Sequence, residues 1–457
     1  MFIRKIQIDS FRSIGDLEIN FSQPSHNYFE ELNLSILVGE NGVGKSSIFQ
    51  LLTSIFSPTQ FKKSMERPIC SVEYEINDDY VLYDSSGAYP TKYPSKMIVS
   101  SFSAFDPYDQ WLAYSPGGWG DAEREEMENN SKYILLGPSN RGYSSLDNVI
   151  EAIIKSLFIT SNEKKKLDCY YELLHKIKYR RAIGLIINID KLREIPRIIK
   201  NPNYRRPHNI NMDRLVELYE EINGRLKELN KICRHLFPNY RGRGFAIAVE
   251  HFSHELFELY RELLSLDAIG PFIKDIIFES ESGNPVLLSE MSSGEITMLF
   301  RFLPLVMEIE DNSIILIDEP ETHLHPRWTR EFISYLTSLF SDYKVHVLIA
   351  THSPAIASDV PMKCIVGLRN QEGRIQQYKP KDRTLGGHSS QMLQDVFELK
   401  DLSSLSALKI INQITKLLDR PRPNSKQIDE ARQLYNDLST TTEKYRLYQK
   451  YKKFLGE

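Results

Sequence analysis

With 457 residues, 41% of them hydrophobic and 26% charged, the chain carries enough apolar material for two or three compact units, which excludes disorder as the default. A formal net charge of −4 excludes a globally basic nucleic-acid binder, while local basic patches stay possible. Cys70, Cys169, Cys233 and Cys364 show no C-x-x-C spacing, so buried free thiols are expected instead of a zinc site or disulfides.

The opening stretch, Met1 to Ile8, alternates apolar and polar residues like a strand and lacks the apolar core of a signal peptide. No segment approaches the roughly 20 apolar residues of a membrane span. A cytoplasmic protein with no membrane partner is expected.

Residues 1–140 read as strand-rich, with strands at Ile3–Ile8, Leu17–Phe21, Leu34–Val38, Cys70–Ile76, Tyr80–Asp84, Met97–Phe102 and Tyr133–Leu136. One helix interrupts them, with Ile48, Leu51, Leu52 and Ile55 as its apolar stripe. The acidic run Asp121 to Asn130 reads as a solvated loop or helix face. Residues 141–270 read as a helical insertion, in which Leu215, Leu218, Ile222, Leu226, Leu229, Cys233 and Leu236 recur as in a short helical hairpin or coiled-coil stub. Pro202, Pro207 and Pro238 break it up. In residues 271–380 strands return at Asp275–Phe278 and Pro285–Leu288, then a helix from Ser293 to Glu308 and the apolar run Ile314–Ile317. A further helix after Pro326 and the strands Val345–Ala350, Cys364–Leu368 and Arg374–Tyr378 follow. Residues 381–457 read as a polar helical tail. This order is that of an α/β protein.

Gly39-Glu40-Asn41-Gly42-Val43-Gly44-Lys45-Ser46 matches G-x-x-x-x-G-K-[ST], directly after a strand and opening a helix, as the motif requires. Its glycines let backbone N–H groups turn inward around phosphates, and the helix N-terminus adds its positive dipole end. Lys45 would reach the β- and γ-phosphates and the Ser46 hydroxyl would hold Mg²⁺. Downstream, Ile314 to Ile317 end in the adjacent carboxylates Asp318 and Glu319. Acids at the end of a buried strand need partners, and a metal with a nucleophilic water supplies them. Asp318 would hold Mg²⁺ and Glu319 would orient or deprotonate the water.

Together these motifs resemble the ABC-type ATPase heads of the SMC, RecF and OLD-like ATPases, over residues 1–140 and 270–378. The resemblance rests also on Phe11-Arg12-Ser13-Ile14, on Asn41, on Met291-Ser292-Ser293-Gly294-Glu295 and on Ala350-Thr351-His352-Ser353-Pro354. It implies a two-lobed P-loop head with a mixed sheet, in which Gly39, Asn41, Gly42, Gly44, Lys45, Ser46, Ser47 and Arg12 hold ATP. Ser292, Ser293, Gly294 and Glu295 would then contact ATP on an opposite copy, and Glu319 and His352 would act in hydrolysis. The plainer readings are a helix N-cap for Ser292 to Gly294, a polar strand end for His352 and a solvated charge for Arg12. The glutamine expected after a middle strand has no clear counterpart, Gln110 lying at an uncertain distance. His323 and His325 suit a dimer interface better than metal ligation.

Many OLD-like ATPases continue into a Toprim nuclease, but Lys363 to Arg369 lacks the required acids, so no nuclease centre is expected here. A standalone head with an insertion and a helical tail resembles the ATPase subunits of bacterial antiphage systems, including the Septu ATPase and its retron-associated relatives. That resemblance implies a separately encoded effector, an HNH nuclease among the candidates, and a retron nucleic acid as a further partner. The rival reading is a RecF-like DNA-clamping ATPase. Its support is Lys176 to Arg181 and Tyr204 to Arg206, either a phosphate-binding surface or a solvated helix face, and the basic, aromatic tail Lys444 to Lys453.

Overall fold

The computed structural model describes the chain apart from residues 23–27, 57–67, 88–91, 102–132, 137–149, 151–152, 155, 157–162, 202–210, 234–244, 267–270, 323, 381–383, 388, 398–404, 421–422, 440–441 and 456–457. Two compact units emerge, Met1–Met392 and Leu393–Glu457. Gln110, Asp121 to Asn130, Tyr204 to Arg206, Leu236 and His323 lie outside the described residues.

The first unit is α/β, with three sheets among the described residues. Strands β1 (Phe2–Phe11), β2 (Ile14–Asn20), β4 (Ile69–Ile76) and β5 (Asp79–Asp84) form an antiparallel sheet in the order β2-β1-β4-β5. The central sheet takes β3 (Asn33–Gly39), β6 (Met97–Ser101), β7 (Tyr133–Leu136), β12 (Ile314–Asp318), β13 (His346–Thr351), β14 (Ile365–Gln371) and β15 (Arg374–Tyr378). Its order is β15-β14-β3-β13-β12-β6-β7. All neighbours are parallel except the β14–β15 hairpin. A third sheet, β11-β10-β8-β9, is built from β8 (Tyr179–Ile187), β9 (Phe245–Ala248), β10 (Ile273–Ser280) and β11 (Pro285–Leu287).

Helix α1 (Lys45–Phe56) shares one core with the first sheet and the central sheet. Its Ile48, Phe49, Leu51 and Leu52 cluster with Ile6, Ile8, Val72 and Tyr74 on one side and Val99, Leu316, Leu348 and Val366 on the other. Each such side chain, removed from water, contributes about 1.5–3 kcal/mol. The alternate residues Ile36, Ile315, Ile317, Val347 and Ile349 are equally buried. A strand buried on both faces reads as an unbroken apolar run, as Ile314 to Ile317 does.

Between residues 141 and 270 the structure corrects the all-helical reading. Helices α2 (Lys164–Lys176), α3 (Met212–Cys233) and α4 (His254–Ser265) are present, but β8 and β9 lie among them. Leu215, Leu218, Ile222, Leu226 and Cys233 form the buried stripe of α3, and Arg214 of α3 clamps Glu262 of α4 with two bonds of 2.6 and 2.7 Å. Two longer helices follow, α5 (Ser293–Glu308) and α6 (Pro326–Phe340). The second unit holds α7 (Leu405–Leu418), α8 (Ser425–Asp437) and α9 (Thr442–Leu455) around its own core, which includes Ile414, Leu418, Ala431, Leu447 and Leu455. All four cysteines are free and buried. Burial pushes the Cys70 and Cys364 thiols up to about 12 and Cys169 to about 11, which makes them unreactive. Among the described residues no helix is long and apolar enough to cross a membrane.

One position ties the central sheet to the first sheet and another sets the close approach of two of its own strands. His346, fully buried at the start of β13, accepts from the Ile3 amide at Nδ1 (3.0 Å), while Nε2 lies 2.9 Å from the Ser35 hydroxyl. Burial, helped by the N-terminal amine, pushes its pKa down to about 3, so the folded state keeps it neutral. Gly39 pairs with Leu368 of β14, and a methyl group there would collide with the Leu368 carbonyl oxygen.

Because an unfolded histidine protonates near pH 6.5, stability held by neutral His346 is full above that value and is lost as pH falls toward about 3. Urea denaturation at about pH 7.5 and about pH 5.5 should show the wild type losing about 1.4 kcal/mol more than His346→Asn. Gly39→Ala should destabilise by about 3 kcal/mol. Gly42→Ala, where nothing lies within 4 Å of the added methyl, should cost only the left-handed strain of about 1 kcal/mol; the same denaturation curves check both.

Candidate functional site

Three neighbouring parallel strands, β3, β13 and β12, end together, with Thr351 paired to Val38 and Asp318 to Ala350. Loops leaving such ends converge, the usual place for a site in an open α/β sheet. After β3 the chain turns through Gly42 (φ +83°) and Gly44 (φ +84°), a left-handed path that glycine follows at little cost. Val43 is buried and anchors the turn, Asn41 and Gly42 are exposed, and Lys45 opens α1 with Ser46 and Ser47 half-buried behind it.

Lys45 folds back over this loop. Its Nζ donates to the carbonyls of Gly39 (3.0 Å) and Glu40 (3.2 Å) and to Nε2 of His352 (2.7 Å). Burial pulls the Lys45 pKa down to about 8 against the opposing pull of Asp318, Glu319 and Glu321. The His352 pKa is lowered by burial first and then by Lys45. An acceptor at Nε2 requires the neutral ring with its proton on Nδ1.

Asp318 ends β12 and is buried. Glu319 follows with φ +48°, unusual for a residue with a side chain, and is held by its amide bond to the Ala350 carbonyl (2.9 Å). The structure thus brings Lys45, Asp318, Glu319 and His352 together. It also brings in Glu321, which sequence reasoning passed over. The Glu321 carboxylate accepts from the His352 amide (2.7 Å) and from the Thr351 hydroxyl (2.8 Å), and burial raises its pKa. The one visible signal was a third acid, in Asp318-Glu319-Pro320-Glu321, at the end of a buried strand.

Ser292 to Glu295 sit at the N-terminus of α5 in a reciprocal cap. The Ser292 hydroxyl accepts from the Glu295 amide (3.3 Å), and the Glu295 carboxylate accepts from the Ser292 amide and hydroxyl, both at 2.7 Å. The N-cap reading is therefore realised, with Ser292 and Ser293 exposed. Gly294 faces the Trp328 indole, since an added methyl would stand 2.8 Å from its Nε1. Burial, and then the nearby Glu295 carboxylate, raise the pKa of Tyr179 of β8.

Arg12 lies in the β1–β2 turn with φ +54° and donates to Gln50 of α1. His325 caps α6, accepting from the Arg327 amide at 3.2 Å. Lys176 to Arg181 form no helix face: Lys176 ends α2, Lys178 takes a left-handed turn (φ +70°), and Arg180 and Arg181 of β8 pair with Glu279 of β10 at 3.5 and 3.0 Å. In α9, Tyr445, Arg446, Lys452 and Lys453 are exposed.

Curated relatives of the chain include a phage protein and a Septu protein. Protein ea59 of Escherichia phage lambda is 22% identical over 391 residues, covering 85% of this chain and 58% of that protein. Septu protein PtuA of Bacillus mycoides (strain KBAB4) is 23% identical over 457 residues, covering 96% of this chain and 50% of that protein. The chain thus spans about half the length of these relatives. Among solved structures, an Smc head bound to the C-winged helix domain of ScpA aligns with a TM-score of 0.36 and 13% identity, covering 83% of this chain and 97% of that one. A family model described as an AAA ATPase domain matches residues 1–183. A second, described as "AAA domain, putative AbiEii toxin, Type IV TA system", matches residues 127–359, just over half of the sequence, and the chain belongs to this AAA-domain family.

Proposed function

We propose that this chain binds ATP with Mg²⁺ and hydrolyses it between two copies of itself, and that the cycle controls a separately encoded effector in antiphage defence. The carrying observation is the 2.7 Å contact of Lys45 with His352, beside Asp318 and Glu319 at the ends of neighbouring strands. In this reading the Gly39–Gly44 backbone and Lys45 take the phosphates, and Lys45 exchanges its contact with His352 for the γ-phosphate. Asn41, Ser47 and Arg12 line the rest of the nucleotide cradle.

Ser46 and Asp318 are the side chains that would hold Mg²⁺, which when bound neutralises charge across the phosphate oxygens. Among the described residues no group of three His, Cys, Asp or Glu could hold a metal alone. One or two protein oxygens with phosphate oxygens are the usual donor set for Mg²⁺. Glu319 orients or deprotonates water, and His352 contacts the γ-phosphate. The N-terminus of α5 at Ser292 to Glu295, where Ser292 and Ser293 are exposed, takes the γ-phosphate held by the second copy, through the positive dipole end of a helix start.

ATP so held glues two copies, and its loss lets them part, because the trans contacts exist only in the engaged state. The likeness to Septu protein PtuA supports the defence assignment; a nuclease as the effector and a retron nucleic acid as a further partner are proposed with it. Arg180 and Arg181, candidates of the DNA-clamping reading, are exposed and pair with Glu279.

Lys45→Ala should weaken ATP binding about 10- to 100-fold, the loss expected for hydrogen bonds to a charged group. Glu319→Gln should keep ATP, lower kcat about 100-fold or more and accumulate dimers. Light scattering with and without ATP, alone and with the genomic neighbours co-expressed, reads the assemblies. Equal turnover of wild type and Glu319→Gln would refute the role of Glu319, and tight, salt-dependent DNA binding by the chain alone would favour a clamp over effector control.

A further inference from the structure

Helix α5 carries a buried cation that none of the nucleotide contacts uses. Arg301 is 2% exposed, about two and a half turns beyond the Ser292 cap. Its Nη1 donates to the Pro320 carbonyl at 2.5 Å and its Nη2 to the Thr322 carbonyl. Those carbonyls bracket Glu321, whose two carboxylate oxygens accept from the His352 amide at 2.7 Å and the Thr351 hydroxyl at 2.8 Å. Thr351 in turn accepts from the Ser353 amide at 2.9 Å. The Thr322 amide donates to the Glu319 carbonyl at 3.1 Å, which closes a turn around the left-handed Glu319.

The path is continuous: α5, the Arg301 fork, the 319–322 turn, the Glu321 carboxylate, then the backbone and side chain that present His352 to Lys45. Burying a guanidinium and a carboxylate is costly unless both are well bonded. The fold spends these two on fixing a turn and a strand end, neither of which needs a charge for packing. A planar fork spanning two carbonyls also constrains direction as well as distance.

We infer that Arg301 and Glu321 are positioning residues, which transmit the placement of α5 to the hydrolytic turn and so set Glu319 and His352. The inference rests on the ATPase reading above, and goes beyond it in assigning two residues that would not touch nucleotide.

The test uses the full chain with Arg301→Lys, Arg301→Met, Glu321→Gln and Glu321→Ala, with melting temperatures to show that each folds. One arm needs no nucleotide. Hydrogen exchange at the His352 amide should quicken about tenfold or more in Glu321→Ala, the loss of a bond to a charged acceptor. In Arg301→Met the amides of Glu319 and Thr322 should quicken likewise, with the β3 amides unchanged in both. The second arm is steady-state ATP turnover. Glu321→Ala and Arg301→Met should lower kcat about 10- to 100-fold with KM held within about threefold, as expected when geometry and not affinity is lost. Glu321→Gln and Arg301→Lys, which keep an acceptor and a donor respectively, should recover most of that loss. Unchanged exchange at His352 and in the 319–322 turn overturns the inference, as does wild-type kcat in the folded Ala and Met variants or a raised KM at constant kcat. A wild type that binds ATP without turnover would sink the hydrolysis reading instead, and the exchange arm would still decide the positioning role.

Discussion

The site depends on one constraint, the parallel alignment of β3, β13 and β12. With Val38 beside Thr351 and Ala350 beside Asp318, each chain leaves the sheet at the same edge, and residues more than 250 positions apart in sequence meet without a long loop having to be ordered. The apolar content of these strands fixes that register, because Ile36, Ile315, Ile317, Val347 and Ile349 fill one face while Leu37, Leu316, Leu348 and Ala350 fill the other. A slip by one residue would exchange the faces along the whole strand. Core packing is thus what places Lys45, Asp318, Glu319 and His352 together.

Packing also sets their charge. Lys45 faces three carboxylates, which favour its ammonium, yet its pKa falls to about 8 because burial outweighs all three. His352 moves down for the same first cause, and Glu321 moves up. Burial thus penalises the charged forms of Lys45, His352 and Glu321, and an anionic ligand brought to the loop would add attraction for Lys45 from outside the chain. Lys45 satisfies its donors on two loop carbonyls and a neutral imidazole. Such contacts are bonded well enough to persist and neutral enough to be exchanged for phosphate oxygens.

Much of this was legible in sequence where the physics is local. Gly39 to Ser46 encodes its own turn through glycines at positive φ, Ile314 to Asp318 announces a strand buried on both faces, and Ser292 with Glu295 three residues on spells a reciprocal cap. What escaped depends on distant partners. Ile183 to Ile187 is too short an apolar run to separate strand from helix by period, and its strand, β8, is settled by pairing with β10 some 90 residues later. Arg301 reads as an ordinary helix charge, and Glu321 as one acid in a polar turn. Only the folded chain shows the guanidinium on the Pro320 and Thr322 carbonyls and the carboxylate on Thr351 and His352.

The strands between α2 and α5 also change what the middle of the chain is for. A helical appendage could be lengthened or trimmed with little consequence for the head. Here β8 pairs with β10 over most of its length, β10 and β11 lead directly into the 288–292 turn and α5, and Tyr179 at the first position of β8 lies near enough to the carboxylate that caps Ser292 to feel its charge. On the other side Trp328 of α6 packs against Gly294, leaving no room for a side chain there. The α5 N-terminus is therefore held from two directions by parts of the chain that do not carry the P-loop. From the same helix Arg301 reaches the 319–322 turn, donating to the Pro320 and Thr322 carbonyls.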